Sequence, residues 1–181
     1  MTPGLVIREG PRIRIRQLRK DDIPRMAAGA FGGEDGAKRW YAQSLAQPDG
    51  PLKEFKQFAV ETNAGEWIGW TGFYAESGGD AGGYFTVAEP FRGQGYGTEL
   101  VRSVLEVMFV ECEAALCTID YHDWNEVAAR LYAKFDFEET QRIHIPEDKL
   151  TDEDRAMAPN RPVHAVVISL TREKFLRCRA R

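Results

Sequence analysis

Apolar and polar positions alternate most strictly at Arg12-Ile-Arg-Ile-Arg16, so Ile13 and Ile15 face a core while the three arginines face away on a solvated strand surface. Asp21-Asp22 before Ile23-Pro24 reads as a helix start, a carboxylate capping free N–H groups and proline just inside the first turn, with the helix reaching about Ala30. After a glycine-rich break from Phe31 to Gly36, Ala37 to Ala46 is again helical in character, and Gln47-Pro-Asp-Gly-Pro51 closes it as a turn. Phe55 to Glu61 and Trp67 to Tyr74 are predicted strands. The intervening Thr62-Asn-Ala-Gly65 supplies the positive φ that a tight hairpin needs.

Gly82 to Val87 reads as a strand, followed by a loop to Gly97 and an amphipathic helix with Leu100, Val101, Val104, Leu105 and Met108 on one face. A further strand, Ala115 to Tyr121, precedes a helix opened by Asn125, in which Val127, Ala128, Leu131, Tyr132 and Phe135 recur at helical spacing. Phe137 to Ile143 and His164 to Leu170 complete the strands. Between them Pro146 to Pro162, acidic at first and bounded by prolines, is expected to be an exposed excursion or lid.

No internal repeat interrupts the pattern, and 181 residues suit one domain that buries roughly 70% of its unfolded surface. A net charge of −4 excludes a broadly basic nucleic-acid binder. The arginines from Arg8 to Lys20 could form a local basic arm, but strand alternation explains them more simply. Cys112, Cys117 and Cys178 make an odd count without CxxC spacing, which suggests neither a disulfide framework nor a zinc cluster and fits a reducing compartment. The opening MTPGLVIREG has no apolar run behind a basic start, and Arg102 and Glu106 interrupt the most apolar helix, so a cytoplasmic protein with no membrane partner is expected. A homodimer is compatible with this chain.

The densest chemical signal is Arg92-Gly93-Gln94-Gly95-Tyr96-Gly97-Thr98, at the start of a helix. Alternating glycines let successive backbone N–H groups converge, and the helix adds about half a positive charge at its N-terminus, a cradle suited to a pyrophosphate. A dinucleotide fingerprint would need glycine or alanine where Thr98 stands, and a Walker loop needs a Gly-Lys-Ser or Gly-Lys-Thr triplet that occurs nowhere. The stretch from Gly83 to Leu100, with Arg92, Gly95 and Gly97 in the defining places, resembles the acetyl-CoA motif of the GNAT N-acetyltransferases. Asn125, Ala128, Leu131, Tyr132, Lys134 and Phe137 resemble the family's second motif, with Asp136 where its glycine belongs. An aspartate can occupy that left-handed position at moderate cost. The segments from Ile13 to Asp22 and from Val166 to Phe175 are similar to the subgroup that includes acetylases of ribosomal-protein N-termini and of aminoglycosides.

The resemblance implies a mixed α/β fold, with a central, mostly antiparallel, splayed sheet flanked by helices. It implies that backbone groups of Arg92, Gly93, Gln94, Gly95, Tyr96, Gly97 and Thr98 hold the CoA pyrophosphate, and that Phe85, Thr86 and Val87 pair with the pantetheine as an added strand. The thioester of acetyl-CoA would lie where Gly82–Val87 and Ala115–Tyr121 splay apart. There a backbone N–H near Val87 would stabilise the oxyanion as an amine attacks directly. Tyr132 would be the acid at the leaving thiolate, although a phenol near pKa ~10 facing a thiol near ~8.5 makes full transfer uphill by about 2 kcal/mol. Asn125 would bind cofactor, cap its helix, or both.

A base is needed because amines are mostly protonated at neutral pH, and Asp120 and His122, alternating onto one face at a strand end, are the candidates. By the resemblance to the family, the helix pair before Pro48 and the late loop would cap the amine side of the cleft, with Glu34, Asp35, Trp40, Tyr41 and Tyr74 as candidate acceptor contacts, since carboxylates and aromatic faces suit a cationic amine. The acceptor would be a small-molecule amine or a peptide N-terminus, with no metal involved. The same cradle could also serve a non-catalytic acyl-CoA sensor.

Overall fold

A computed structural model describes residues 6–27, 33–46 and 52–179. The chain divides into two compact units, Met1–Ala114 and Ala115–Arg181. The turn expected at 47–51, the helix end at 28–30 and the first two residues of the glycine-rich break lie outside the described residues.

The first unit is an antiparallel meander of β1 (Val6–Glu9), β2 (Ile13–Gln17), β3 (Lys56–Thr62), β4 (Trp67–Ala75) and β5 (Asp80–Val87). Ile13 and Ile15 are fully buried, as their alternation requires. The arginine face is solvated only in part: the Arg12 side chain is 48% exposed, but Arg16 is not. Arg16 is 2% exposed, its guanidinium bound by Asp22 at 2.7 Å and Glu61 at 2.7 Å, while Arg14 reaches the other oxygen of Glu61 at 2.5 Å. Two carboxylates neutralise these charges, and one of them stands 45 positions from Arg16, which a local alternation cannot reveal. β1 has no sequence signal, because four residues including Arg8 and Glu9 carry no alternation. The β3–β4 hairpin forms as expected, with the Thr62 amide donating to the Glu66 carbonyl at 2.7 Å and Gly65 at φ 90°.

A 3-10 turn at Lys20–Asp22 leads into α1 (Ile23–Ala27). Asp22 accepts from the Arg19 amide at 2.7 Å while also binding Arg16, so the cap and the ionic cluster share one carboxylate. α2 spans Gly33–Ala46 and begins four residues before the expected Ala37. Glu34 and Asp35 in its first turn complement the helix dipole, and Glu34 pairs with Lys38 one turn on at 2.8 Å, which offsets the cost of glycine there. α3 (Tyr96–Glu106) buries Leu100, Val101, Val104 and Leu105, then continues as a π-helical turn through Val107–Glu111.

The second unit has β6 (Leu116–His122), α4 (Glu126–Ala133), β7 (Glu138–His144), α5 (Asp152–Met157), β8 (His164–Thr171) and α6 (Arg172–Arg179). Its strands pair antiparallel with β8 between β6 and β7. Asp136 takes the left-handed conformation at φ 59° and ends the α4 segment, as the substitution for glycine requires. The excursion from Pro146 to Pro162 is not merely exposed. It holds a 3-10 turn at Glu147–Lys149 and α5, and Asp154 and Ala158 are buried.

Candidate functional site

β5 ends at Val87, and a 3-10 turn at Glu89–Phe91 carries the chain into the glycine loop. The Arg92 amide donates to Glu89 and the Glu99 amide to Gly95. Between these two bonds, the amides of Gly93, Gln94, Gly95, Tyr96 and Gly97 find no backbone acceptor among the described residues. Such a run at a helix N-terminus is the donor array an anion needs. Gly93 at φ 74° and Gly95 at φ 86° occupy the left-handed region, so side chains there would strain the loop that aims these donors.

Side chains hold the loop from both ends. Arg92 Nε donates to the Val87 carbonyl at 2.9 Å, tying the loop to the end of β5, and Gln94 Nε2 donates to the Pro90 carbonyl at 2.9 Å. Arg12 donates to the Gln94 carbonyl at 3.0 Å, lies 4.7 Å over the Tyr96 ring, and pairs with Glu99 at 2.8 Å. Glu99 also accepts from the amides of Arg12 at 2.7 Å and Ile13 at 3.2 Å. The pair Arg12–Glu99 escapes sequence reading because 87 positions separate its members. Phe85, Thr86 and Val87 pair with Thr71, Trp70 and Gly69 of β4, which fixes the direction of the strand entering the loop.

In the second unit, Tyr132 is 8% exposed and packs its ring 5.9 Å from Tyr121 and 5.8 Å, edge on, from Phe137. Burial, with the Asp120 charge adding to it, pushes the phenol well above its ordinary range, so it stays protonated at physiological pH. Asn125 caps α4, its Oδ1 accepting from the Ala128 amide at 3.0 Å. Asp120 is exposed on β6. His122, at the end of that strand, binds Asp154 through Nδ1, and the same Asp154 oxygen accepts from Trp124 Nε1 at 2.7 Å. Sequence reading misses Asp154, although its Thr151-x-x-Asp154 spacing is the mark of a capping box.

Residues 12–138 match a family profile described as acetyltransferase (GNAT) domain. The chain belongs to the GNAT acetyltransferases. It is an acetyl-CoA-dependent N-acetyltransferase, and acetyl-CoA is its acyl donor. Comparison with curated proteins finds no match. Among solved structures, this GNAT chain is similar to spermidine N-acetyltransferase from Vibrio cholerae in complex with CoA and spermine, at TM-score 0.73 and 15% identity, covering 92% of this chain and 99% of that one. It is similar also to spermidine/spermine N-acetyltransferase from Vibrio cholerae in complex with manganese ions, at TM-score 0.71 and 16% identity over 92% and 96% of the two chains. The likeness establishes a GNAT-like fold.

The Gly93–Gly97 amides, bonded to no backbone acceptor among the described residues, are donors of the kind a diphosphate such as that of acetyl-CoA accepts from, and Gly93 has nothing within 4 Å of where a Cβ would stand. The acceptor candidates are scattered in character. Glu34 and Asp35 are exposed beside Lys38. Trp40 and Tyr41 pack on the core cluster of Leu18, Met26, Ala37, Ala59 and Trp70, and Tyr74 lies 6.5 Å from Phe55. Among the described residues no group of three or more His, Cys, Asp or Glu could hold a metal, and no helix is long and apolar enough to cross a membrane.

Proposed function

We propose that this chain, acting as a single acyl-CoA N-acyltransferase domain, transfers acetyl from acetyl-CoA to the primary amine of a small molecule by direct attack, with peptide N-termini and aminoglycosides as further acceptors to be tested. The observation that carries the reading is the run of amides from Gly93 to Gly97 without a backbone acceptor among the described residues, in a loop held by Arg92 and Arg12. Acetyl-CoA supplies an activated acyl group, and everything else is asked of the protein.

Backbone amides from Gly93 to Gly97 hold the diphosphate, the expected contribution of the Arg92 amide being taken up by the Glu89 carbonyl, and Phe85 to Val87 align the pantetheine arm. Tyr132 donates a hydrogen bond to the departing sulfur. Because its phenol is held above the usual range, it stabilises the developing thiolate as a donor and gives up its proton late. Asn125 caps α4 and so holds Tyr132 in its place on that helix.

An ammonium acceptor must lose a proton before it can attack, so a base is required. Of Asp120 and His122, His122 is the better supported, being held at the strand end by a buried carboxylate. The spermidine N-acetyltransferase relatives support a polyamine-like acceptor, for which Glu34, Asp35, Trp40, Tyr41 and Tyr74 are the proposed contacts. The test is CoA release measured across polyamines, aminoglycosides, amino acids and N-terminal peptides. Release with one amine class and none in its absence supports the reading; no release with any amine removes it.

A further inference from the structure

His122 stands at the end of β6, its ring 6.1 Å from Trp124 in an edge-on arrangement, and a third of its side chain is exposed. Its Nδ1 faces Asp154, while Nε2 has no partner among the described residues. Asp154 is completely buried and its two oxygens accept four hydrogen bonds. One oxygen takes the Thr151 amide at 2.9 Å and the Thr151 hydroxyl at 2.7 Å, which completes the cap of α5. Its other oxygen takes Trp124 and His122, from positions 30 and 32 residues away. A helix cap needs only the first pair, so capping does not account for the second.

Burial opposes the Asp154 charge, but the bonds from Thr151, Trp124 and His122 outweigh it and hold the carboxyl well below its usual range. An ionised carboxylate only accepts hydrogen bonds, so the His122 nitrogen facing it must carry the proton. In its neutral form the ring then carries its lone pair on Nε2.

We propose that Asp154 is the positioning residue of the reaction, holding His122 as the Nδ1–H tautomer so that Nε2 takes the proton of the acceptor ammonium. The proposal rests on the acetyl-transfer reading above. In the step, an N–H bond of the ammonium breaks, its electron pair stays on nitrogen as the nucleophile, and the proton goes to Nε2. The resulting imidazolium is stabilised by the Asp154 carboxylate behind it. Trp124 keeps that carboxylate from turning away by occupying the same oxygen. The charged and titratable groups around His122 include Asp120 and Tyr121 on the same strand, the adjacent Asp123, which holds Arg161 at 3.1 Å and His164 at 3.4 Å, and His164 itself, one place from the β8 register partner Ala165.

The test is made on the full chain. Nitrogen NMR of the three histidines in the wild type reads the tautomer directly and is expected to show His122 protonated at Nδ1 with Nε2 bare. Asp154→Asn, whose amide can donate, is expected to reverse that pattern. With spermidine as acceptor, Asp154→Asn and His122→Gln should each lower kcat/KM about a hundredfold at neutral pH and abolish the acid limb of its pH profile. Thr151→Ala should lower the melting temperature yet keep that limb, which separates capping from positioning. A wild-type His122 protonated at Nε2, or an Asp154→Asn enzyme that keeps the limb and stays within twofold in kcat/KM, overturns the proposal. If Asp154→Asn does not fold, the wild-type spectrum and His122→Gln decide. Absence of CoA release by the wild type with any amine defeats the acetyl-transfer reading instead, and the spectrum still decides the tautomer.

Discussion

The glycine loop at Arg92–Thr98 and the carboxylate-bound imidazole at the end of β6 are built in opposite ways. In the loop the chemistry lies in main-chain amides that neighbouring residues aim, with glycines at φ 74° and 86° permitting the turn. At His122 it lies in side chains brought from segments 32 residues apart, and the backbone only presents them. A main-chain site tolerates changes of side chain but not of conformation. A side-chain site has the reverse sensitivity.

The sharpest way to break this contrast is Gly95→Val. A β-branched residue at φ 86°, with its Cβ 3.2 Å from Arg12 Nη2, should distort the cradle. Acetyl-CoA affinity should fall about a hundredfold, ~2.7 kcal/mol, by calorimetry. An unchanged affinity would mean the loop amides do not carry binding. Tyr132→Phe probes the second unit: turnover should fall at least tenfold while acetyl-CoA affinity stays within about twofold, since the lost donor acts on the leaving sulfur. Equal losses in both quantities would make Tyr132 a packing residue.

Glu99→Ala tests whether side chains matter to the loop only as supports. It strips an acceptor from the Arg12 and Ile13 amides and removes the carboxylate that pairs with the Arg12 guanidinium, and the Glu99 side chain is only 11% exposed. Stability should drop by about 1–3 kcal/mol in thermal or urea unfolding. A smaller effect belongs to acid. The folded carboxyl of Asp154 titrates below its unfolded value of about 3.9, so its contribution is complete above about pH 5 and is lost as pH falls through 4 toward the folded value. The stability gap between the wild type and Asp154→Asn should therefore narrow below about pH 4 in acid unfolding followed by circular dichroism. A constant gap would show that the carboxylate charge is not what stabilises the fold.

The same contrast explains what can be read from the chain. The loop and the Asn125 cap are local, so spacing and residue type announce them, the left-handed Asp136 follows from the resemblance that puts it in a glycine's place, and the expected strands lie within about two residues of their observed ends. The fate of Arg16 cannot be read, since its burial depends on Glu61, 45 positions away, and on an Asp22 that looks like a cap alone. Asp154 is hidden for the same reason: its local role is to cap α5, and its bond to His122 exists only once β6 and α5 have met. Gly33 opens α2 instead of breaking the chain because the Glu34–Lys38 pair and the acidic first turn compensate for the glycine, a balance that glycine content alone conceals.

The most direct test of the central claim compares, in the wild type and in Gly95→Val, the heat of binding of CoA with that of 4′-phosphopantetheine, which has the same arm but lacks the diphosphate and the adenosine 3′-phosphate beyond it. The gap between the two compounds should shrink in the variant. Clear association of CoA and a loss of at least tenfold for the shorter compound is the result expected if the Gly93–Gly97 amides grip the diphosphate. Equal affinities, or no heat with CoA, would contradict it.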